Sequence, residues 1–263
     1  RLHTVRELVD ALRDADSAGV THSTAEVAPD SWAHVLSGSH DDLDQYLKRK
    51  PVFEWVMWSF LRSVRGLWSL VAGFQVRDAR QLPNKGAVIV CGNHASYLDP
   101  FLVCMSLPRR GLQRVFFVGY SEYFDGMVGR FLARLFRNIP IDANRNLQRA
   151  MQAAAEGLRR GMVLVIFPEG GRSLDGSVKE FRRGAAILAR NLDVPITPVG
   201  IWGAHHVWPR EGRIRRHPLV LSYGPTLSSG GSPSEEAFLG ELRAEVIRLT
   251  DESSRARDEA SIN

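Results

Sequence analysis

Two cysteines in 263 residues cannot build a disulfide scaffold, and no Cys/His spacing along the chain has the pattern of a zinc site, so no metal is expected. Cys91 and Cys104 both lie in apolar runs, which suits a reducing, cytoplasmic setting. A secretory leader, with a charged start, apolar stretch and small-residue cleavage site, is not visible, and neither is an internal repeat. The chain begins at Arg1 rather than Met, from which we expect a piece of a longer protein. Hydrophobic residues at 44% and charged residues at 24% are ordinary for a globular domain and argue against both disorder and a polytopic membrane protein.

Charge is uneven. Residues 1–50 hold six Lys/Arg against nine Asp/Glu, and the remaining 213 hold 28 against 20. A body with an excess of eight positive charges is attracted to something anionic: nucleic acid, a phospholipid surface or a phosphorylated substrate.

Thr4 to about Asp16 has a capping-box start and apolar residues at helical spacing. With the linker and the small acidic helix from Asp41, it makes residues 1–50 an N-terminal extension. Residues 51–80 contain the most apolar window, Pro51 to about Phe74, interrupted by Glu54, Arg62 and Arg65. Central charges cost roughly 2.5–3.5 kcal/mol each on insertion scales, so an amphipathic helix lying in the headgroup plane fits better than a span, with a core helix as the alternative. Residues 81–263 then read as one α/β domain. Strands are expected at Ala87–Cys91, Val115–Val118, Ile139–Ile141, Val163–Phe167, Ile196–Ile201 and Leu219–Ser222. Between and after them come helices from Asp99, around Met127–Arg137, from Asn146, at Phe181–Arg190 and from Ser232. Such alternation predicts a mostly parallel central sheet flanked by helices on both faces.

Chemistry concentrates after two of these strands. Asn93-His94-Ala-Ser-Tyr-Leu-Asp99 follows the first, at the kind of strand end where open α/β sheets carry sites. A carboxylate five residues beyond a histidine, across a turn, can accept one ring N–H and leave the other nitrogen as a base. Asp99 before Pro100 also has the form of a helix N-cap. The second block, Phe167-Pro168-Glu169-Gly170-Gly171-Arg172-Ser173, offers glycines that let main-chain N–H groups approach an anion and a guanidinium suited to phosphate.

Together, in this order, the two blocks resemble those of the glycerolipid acyltransferase family, the 1-acylglycerol-3-phosphate acyltransferases, which carry Asn-His with an Asp after four intervening residues and a Phe-Pro-Glu-Gly-x-Arg-Ser block. The resemblance runs from about Gly86 to Ser222, with Val194-Pro195-Ile196-Thr197-Pro198-Val199 similar to the family's proline-containing fourth block. It implies a peripheral membrane enzyme of phospholipid synthesis on the cytoplasmic face. Such an enzyme transfers a fatty acyl group from acyl-CoA or acyl carrier protein to a lysophosphatidate-like hydroxyl, with no other cofactor.

On this resemblance His94 is the base and Asp99 its support. Asn93, Glu169, Gly170, Gly171, Arg172 and Ser173 contact substrate, and Lys179 and Arg182 are further phosphate or coenzyme contacts. The family's second block places an arginine directly after its Asp, whereas here Asp142-Ala143-Asn144 precedes Arg145, two positions late. Arg145 is thus a candidate phosphate contact, and a different lysolipid acceptor is the alternative. Leu2 to Val9 resembles the last helix of an acyl carrier domain, as expected if a carrier or acyl-activating module precedes this one; an ordinary amphipathic helix is the other reading.

Three rivals use other residues. A cysteine hydrolase would pair Cys91 with His94, but a strand residue three before the histidine points into the sheet. A nucleic-acid module would use the Arg130/Arg134/Arg137 face and the Arg213/Arg215/Arg216 cluster, yet no nucleic-acid motif accompanies them and no nucleic acid is expected. A lipid sensor without turnover would not need the His94/Asp99 pair. His205 and His206 lack further ligands and are expected as wall or rim residues.

Overall fold

Runs of β-branched and apolar residues form the centre of the molecule because both faces of those strands are covered. The computed structural model describes residues 29–38, 41–119, 126–141, 146–209 and 212–262. The expected helix at Thr4–Asp16, the resemblance at Leu2–Val9 and Arg145 lie outside them.

The helices are α1 (Pro29–Leu36), α2 (Asp44–Leu47), α3 (Pro51–Ala72), α4 (Asp99–Ser106), α5 (Arg109–Leu112), α6 (Gly126–Leu135), α7 (Leu147–Arg159), α8 (Gly184–Leu192), α9 (Ala204–Val207) and α10 (Glu235–Ile262). The strands are β1 (Gln75–Arg77), β2 (Val88–Gly92), β3 (Val115–Gly119), β4 (Asn138–Pro140), β5 (Val163–Ile166), β6 (Ile196–Trp202) and β7 (Val220–Tyr223). They form one sheet in the order β1-β7-β6-β2-β5-β3-β4, parallel except for the antiparallel β6–β7 pair.

The period-2 alternation of the central strands divides the core. Ile89, Cys91, Leu164 and Ile196 point to one face and pack with α7, α8 and α10. Val88, Val90, Val163, Val165, Val199 and Ile201 point to the other, with Leu61 of α3 and Leu102, Val103 and Met105 of α4. A mostly parallel α/β sheet covered on both faces is therefore the fold.

Four local expectations need correction. Leu36, Leu43, Tyr46 and Leu47 are buried in the first core cluster, so residues 29–50 complete the core; their spaced apolar residues are too few to reveal a partner by pattern alone. β1 is an additional strand before position 81, hydrogen-bonded in parallel to β7; at three residues it carries no periodic signal. The last helix starts at Glu235, with Ser234 Oγ accepting from Ala237 N at 3.0 Å, so the cap is two residues later than Ser232. Arg137 does not share the exposed face of Arg130 and Arg134: it is 5% exposed and ion-paired with Glu54.

Among the described residues no helix is long and apolar enough to cross a membrane. α3 nevertheless carries an outward apolar stripe, with Val52, Trp55, Val56, Phe60, Leu67, Leu70 and Val71 exposed. Its inward side holds Glu54 and Leu61. α6, whose C-terminal neighbour Phe136 meets Phe53 edge-on at 5.6 Å, exposes Met127, Val128 and Phe131 beside Arg130 and Arg134.

Candidate active site

The site sits at the C-terminal end of β2. Gly92 closes the strand because a Cβ there would lie 2.9 Å from Val199 Cγ1 and 3.1 Å from its carbonyl oxygen on β6. The next residue, Asn93, is 1% exposed. Its amide donates to Ile201 O at 3.0 Å and accepts from Ile201 N at 2.8 Å, stapling the loop to β6. Ser96 Oγ donates to Trp208 O at 2.8 Å, which ties the same loop to the segment after α9.

Three donors converge on one oxygen of Asp99. Oδ2 accepts from Ala95 N at 2.7 Å and Ser96 N at 2.8 Å and lies 2.8 Å from His94 Nδ1. An oxygen already accepting two amide N–H groups is the acceptor for the third contact as well, so Nδ1 carries the proton and Nε2 keeps its lone pair. Asp99 is wholly buried, whereas the His94 side chain is 21% exposed, and its ring stacks on Phe167 at 4.5 Å and 20°. Burial pushes the Asp99 carboxyl above its ordinary value, opposed by His94 and the Ser96 and Ala95 amides. Asp99 is the first residue of α4, with Leu98 at the cap position, and its bonded oxygen turns back to the loop.

The second block is joined to the first through the backbone. Glu169 Oε1 accepts from His94 N at 2.9 Å, and His94 O accepts from Ser173 N at 2.7 Å. Glu169 is 5% exposed, and burial raises its carboxyl above the ordinary value against the pull of the His94 amide. Gly170 has φ +69°, and a Cβ there would stand 2.3 Å from Arg182 Nε, so the guanidinium of Arg182 lies directly on the glycine. Lys179 Nζ is 3.9 Å from a Cβ built on Gly171 and 3.5 Å from Arg172 O. Arg172 lies over the Tyr97 ring at 3.3 Å, and its buried Nη1 has no hydrogen-bond partner among the described residues.

Ser173 is 1% exposed. Its hydroxyl donates to Asp175 Oδ1 at 2.7 Å and accepts from Gly176 N at 3.0 Å, so it holds the turn that follows. The Ser177 hydroxyl and amide, with Ser173, keep Asp175 well below the usual carboxylate range.

Of the residues singled out from sequence, His94, Asp99, Glu169, Gly170, Gly171, Arg172, Ser173, Lys179 and Arg182 thus form one connected constellation, and Asn93 anchors it. Phe167 and Tyr97, which stack on the histidine and the arginine, were not singled out. Their positions inside the two blocks were the available signal. Cys91 is completely buried, and burial, then the Glu169 charge, pushes its thiol up, the opposite of an activated nucleophile. No group of His, Cys, Asp and Glu able to hold a metal occurs among the described residues.

Residues 73–202 match the family model described as Acyltransferase. A 1-acyl-sn-glycerol-3-phosphate acyltransferase of Limnanthes douglasii is 30% identical over 170 residues, 63% of this chain and 59% of that protein. One of Pseudomonas aeruginosa is 26% identical over 214 residues, 74% and 79% of the two chains. The chain spans about three-fifths of the length of the first of these relatives. In structure, the chain resembles the 1-acyl-sn-glycerophosphate (LPA) acyltransferase PlsC of Thermotoga maritima with a TM-score of 0.65 and 23% identity, over 80% of this chain and 85% of that one. With the matched segment enclosing both motif blocks, the chain belongs to the acyltransferase family.

Proposed function

We propose that this protein transfers a fatty acyl group from a thioester of coenzyme A or acyl carrier protein to the free hydroxyl of a lysophosphatidate-like glycerolipid. One observation carries the reading: Asp99 Oδ2, fixed by two amides, holds His94 Nδ1 at 2.8 Å and leaves Nε2 as a base. Nε2 takes the hydroxyl proton as the oxygen attacks the thioester carbonyl. The C–S bond then breaks as the carbonyl re-forms, and the imidazolium returns the proton to the leaving thiolate. No acyl-enzyme intervenes, and the buried Cys91 has no part. Positioned proton transfer of this kind contributes about 10²–10⁴-fold.

Arg172, Lys179 and Arg182 supply positive charge around the glycine pair and favour a phosphorylated acceptor. Arg172 has no salt bridge among the described residues, so its charge is available to substrate, while the Lys179 charge also acts on the Glu169 carboxylate. The Tyr97 ring packs against the Arg172 guanidinium at 3.3 Å, and Glu169 and Asn93 hold the loops in register. The outward apolar stripe of α3 and the exposed Phe131, Arg130 and Arg134 of α6 favour peripheral attachment to an anionic phospholipid surface, where the acceptor is found.

The test offers purified protein lysophosphatidate, glycerol 3-phosphate and neutral lysolipids, each with acyl-CoA, beside His94→Ala. Product from lysophosphatidate alone, lost in the variant, is expected. Equal product from variant and parent rejects the base, and preference for a neutral lysolipid rejects the acceptor.

A further inference from the structure

A second cationic cluster lies just beyond residue 202, where the family match ends. A cavity of about 230 Å³ is lined by His205, His206, Pro209, Arg215, Arg216 and His217. Among the described residues every polar side chain in that wall is a cation or an imidazole. Among the described residues Arg215 and Arg216 make no salt bridge, and the buried Nδ1 of His205 has no hydrogen-bond partner. Asp175, adjacent in the chain to Gly176, is committed to Ser173 and Ser177 and is not part of the lining.

The walls are held by backbone. Gly203, φ +87°, ends β6 where a Cβ would come 2.1 Å from Pro218 O and 3.2 Å from His217 Nδ1, so only glycine lets the 217–218 segment close on α9. Arg215 N donates to Val207 O at 2.8 Å, which fixes the strand of chain bearing both arginines. The imidazoles lie ring to ring, His205–His206 at 5.6 Å and His206–His217 at 4.6 Å. Partial desolvation lowers the His206 pKa, and the neighbouring His217 and His205 add to it; a bound anion opposes that second, like-charge effect.

The cavity also touches the active-site loops: His205 packs on Gly176, where a Cβ would lie 3.1 Å from its Cγ, and Trp208 O accepts from Ser96 Oγ.

We propose that this cavity is a second anion site, distinct from the Arg172/Lys179/Arg182 cluster, that takes a phosphate group. Two guanidiniums provide planar forks for phosphate oxygens, and the His205 and His206 rings provide further hydrogen-bonding nitrogens, while His217 Nδ1 is committed to Pro218 O at 2.8 Å. At about 30 Å³ of liquid volume per water, the space holds a phosphate together with hydrating water. Donor nucleotide, lipid headgroup and free phosphate share this chemistry.

Binding is measured on the full chain without turnover, so the outcome is independent of whether acyl transfer is observed. Inorganic phosphate is titrated while imidazole resonances are followed by NMR, and affinity is compared with an Arg215→Ala/Arg216→Ala double variant and with His206→Gln. Both arginines and His206 are exposed, so the variants fold. Hydrogen bonds to charged groups are among the stronger ones, so the double variant binds phosphate at least about tenfold more weakly. The His205, His206 and His217 resonances shift on titration.

Coenzyme A competing with phosphate in the parent but not the double variant identifies the donor as the source. Vesicles of phosphatidic acid in phosphatidylcholine, bound in an Arg215/Arg216-dependent way, identify a headgroup. Response to inorganic phosphate alone identifies a free-phosphate site. Unmoved imidazole resonances, or the same affinity in the double variant, overturn the proposal.

Discussion

Replacing Asp99 by Asn separates the charge of the carboxylate from its shape. The amide oxygen can occupy the place of Oδ2 and still accept from Ala95 N, Ser96 N and His94 Nδ1, so the loop keeps its three contacts at 2.7–2.8 Å. What disappears is the negative charge that stabilises the imidazolium formed in the transfer step. The expected loss in kcat is about 10²–10⁴-fold, equivalent to about 2.7–5.4 kcal/mol of barrier.

Stability moves the other way. The folded Asp99 pKa is raised above its ordinary 3.8. A raised carboxyl gives stability that is fully present below the unfolded pKa and lost as pH rises through the folded one. Asn pays no such charge burial, so the variant gains stability relative to the parent as pH rises from the ordinary value through the folded one, and keeps that gain above it. Steady-state kinetics with acyl-CoA and lysophosphatidate, paired with thermal unfolding at acid and neutral pH, reads both effects. An Asn variant within tenfold of parental kcat refutes the role of the charge. One that unfolds more readily at neutral pH refutes the account of the buried carboxylate.

Arg172→Lys retains a positive charge but loses the planar stack on Tyr97; KM for a phosphorylated acceptor should rise more than kcat falls, with an unchanged kcat/KM counting against the contact. Gly170→Ala forces a side chain onto φ +69° against Arg182, costing at least about 1–2 kcal/mol, which calorimetric unfolding checks. Glu54→Gln leaves Arg137 buried without its charge partner; denaturant unfolding should report a loss of about 3–5 kcal/mol. Glu substitutions at Trp55 and Phe131 together should abolish sedimentation with anionic vesicles while leaving the folded state intact, since both side chains are more than half exposed.

Several expectations from sequence rested on information that is local, and these correspond closely to what the chain forms. The apolar runs before His94 and before Glu169 become the adjacent parallel strands β2 and β5, because a strand covered on both faces needs apolar residues at every position. Asn146 caps α7 by accepting from Arg149 N at 3.0 Å, a contact within one turn. Arg137 shows the opposite case: its helical spacing matched Arg130 and Arg134, but the chain leaves the helix after Leu135, and φ +50° at Arg137 turns its side chain inward to Glu54, 83 residues earlier. No periodicity contains that pairing.

By itself, then, the sequence determined six of the seven strands, the longer helices between them, their order, and that two reactive blocks follow two buried strands, since turn chemistry, period and burial on both faces are written residue by residue. Tertiary structure decided that Asp99 gives one oxygen to three donors, that Glu169 and Ser173 clamp His94 from 75 and 79 positions away, and that β7 returns antiparallel beside β6. It also decided that residues 215–218 close on α9 around a cationic cavity. Those outcomes depend on which surfaces meet when the sheet closes, and contacts between distant segments leave no spacing in either segment alone.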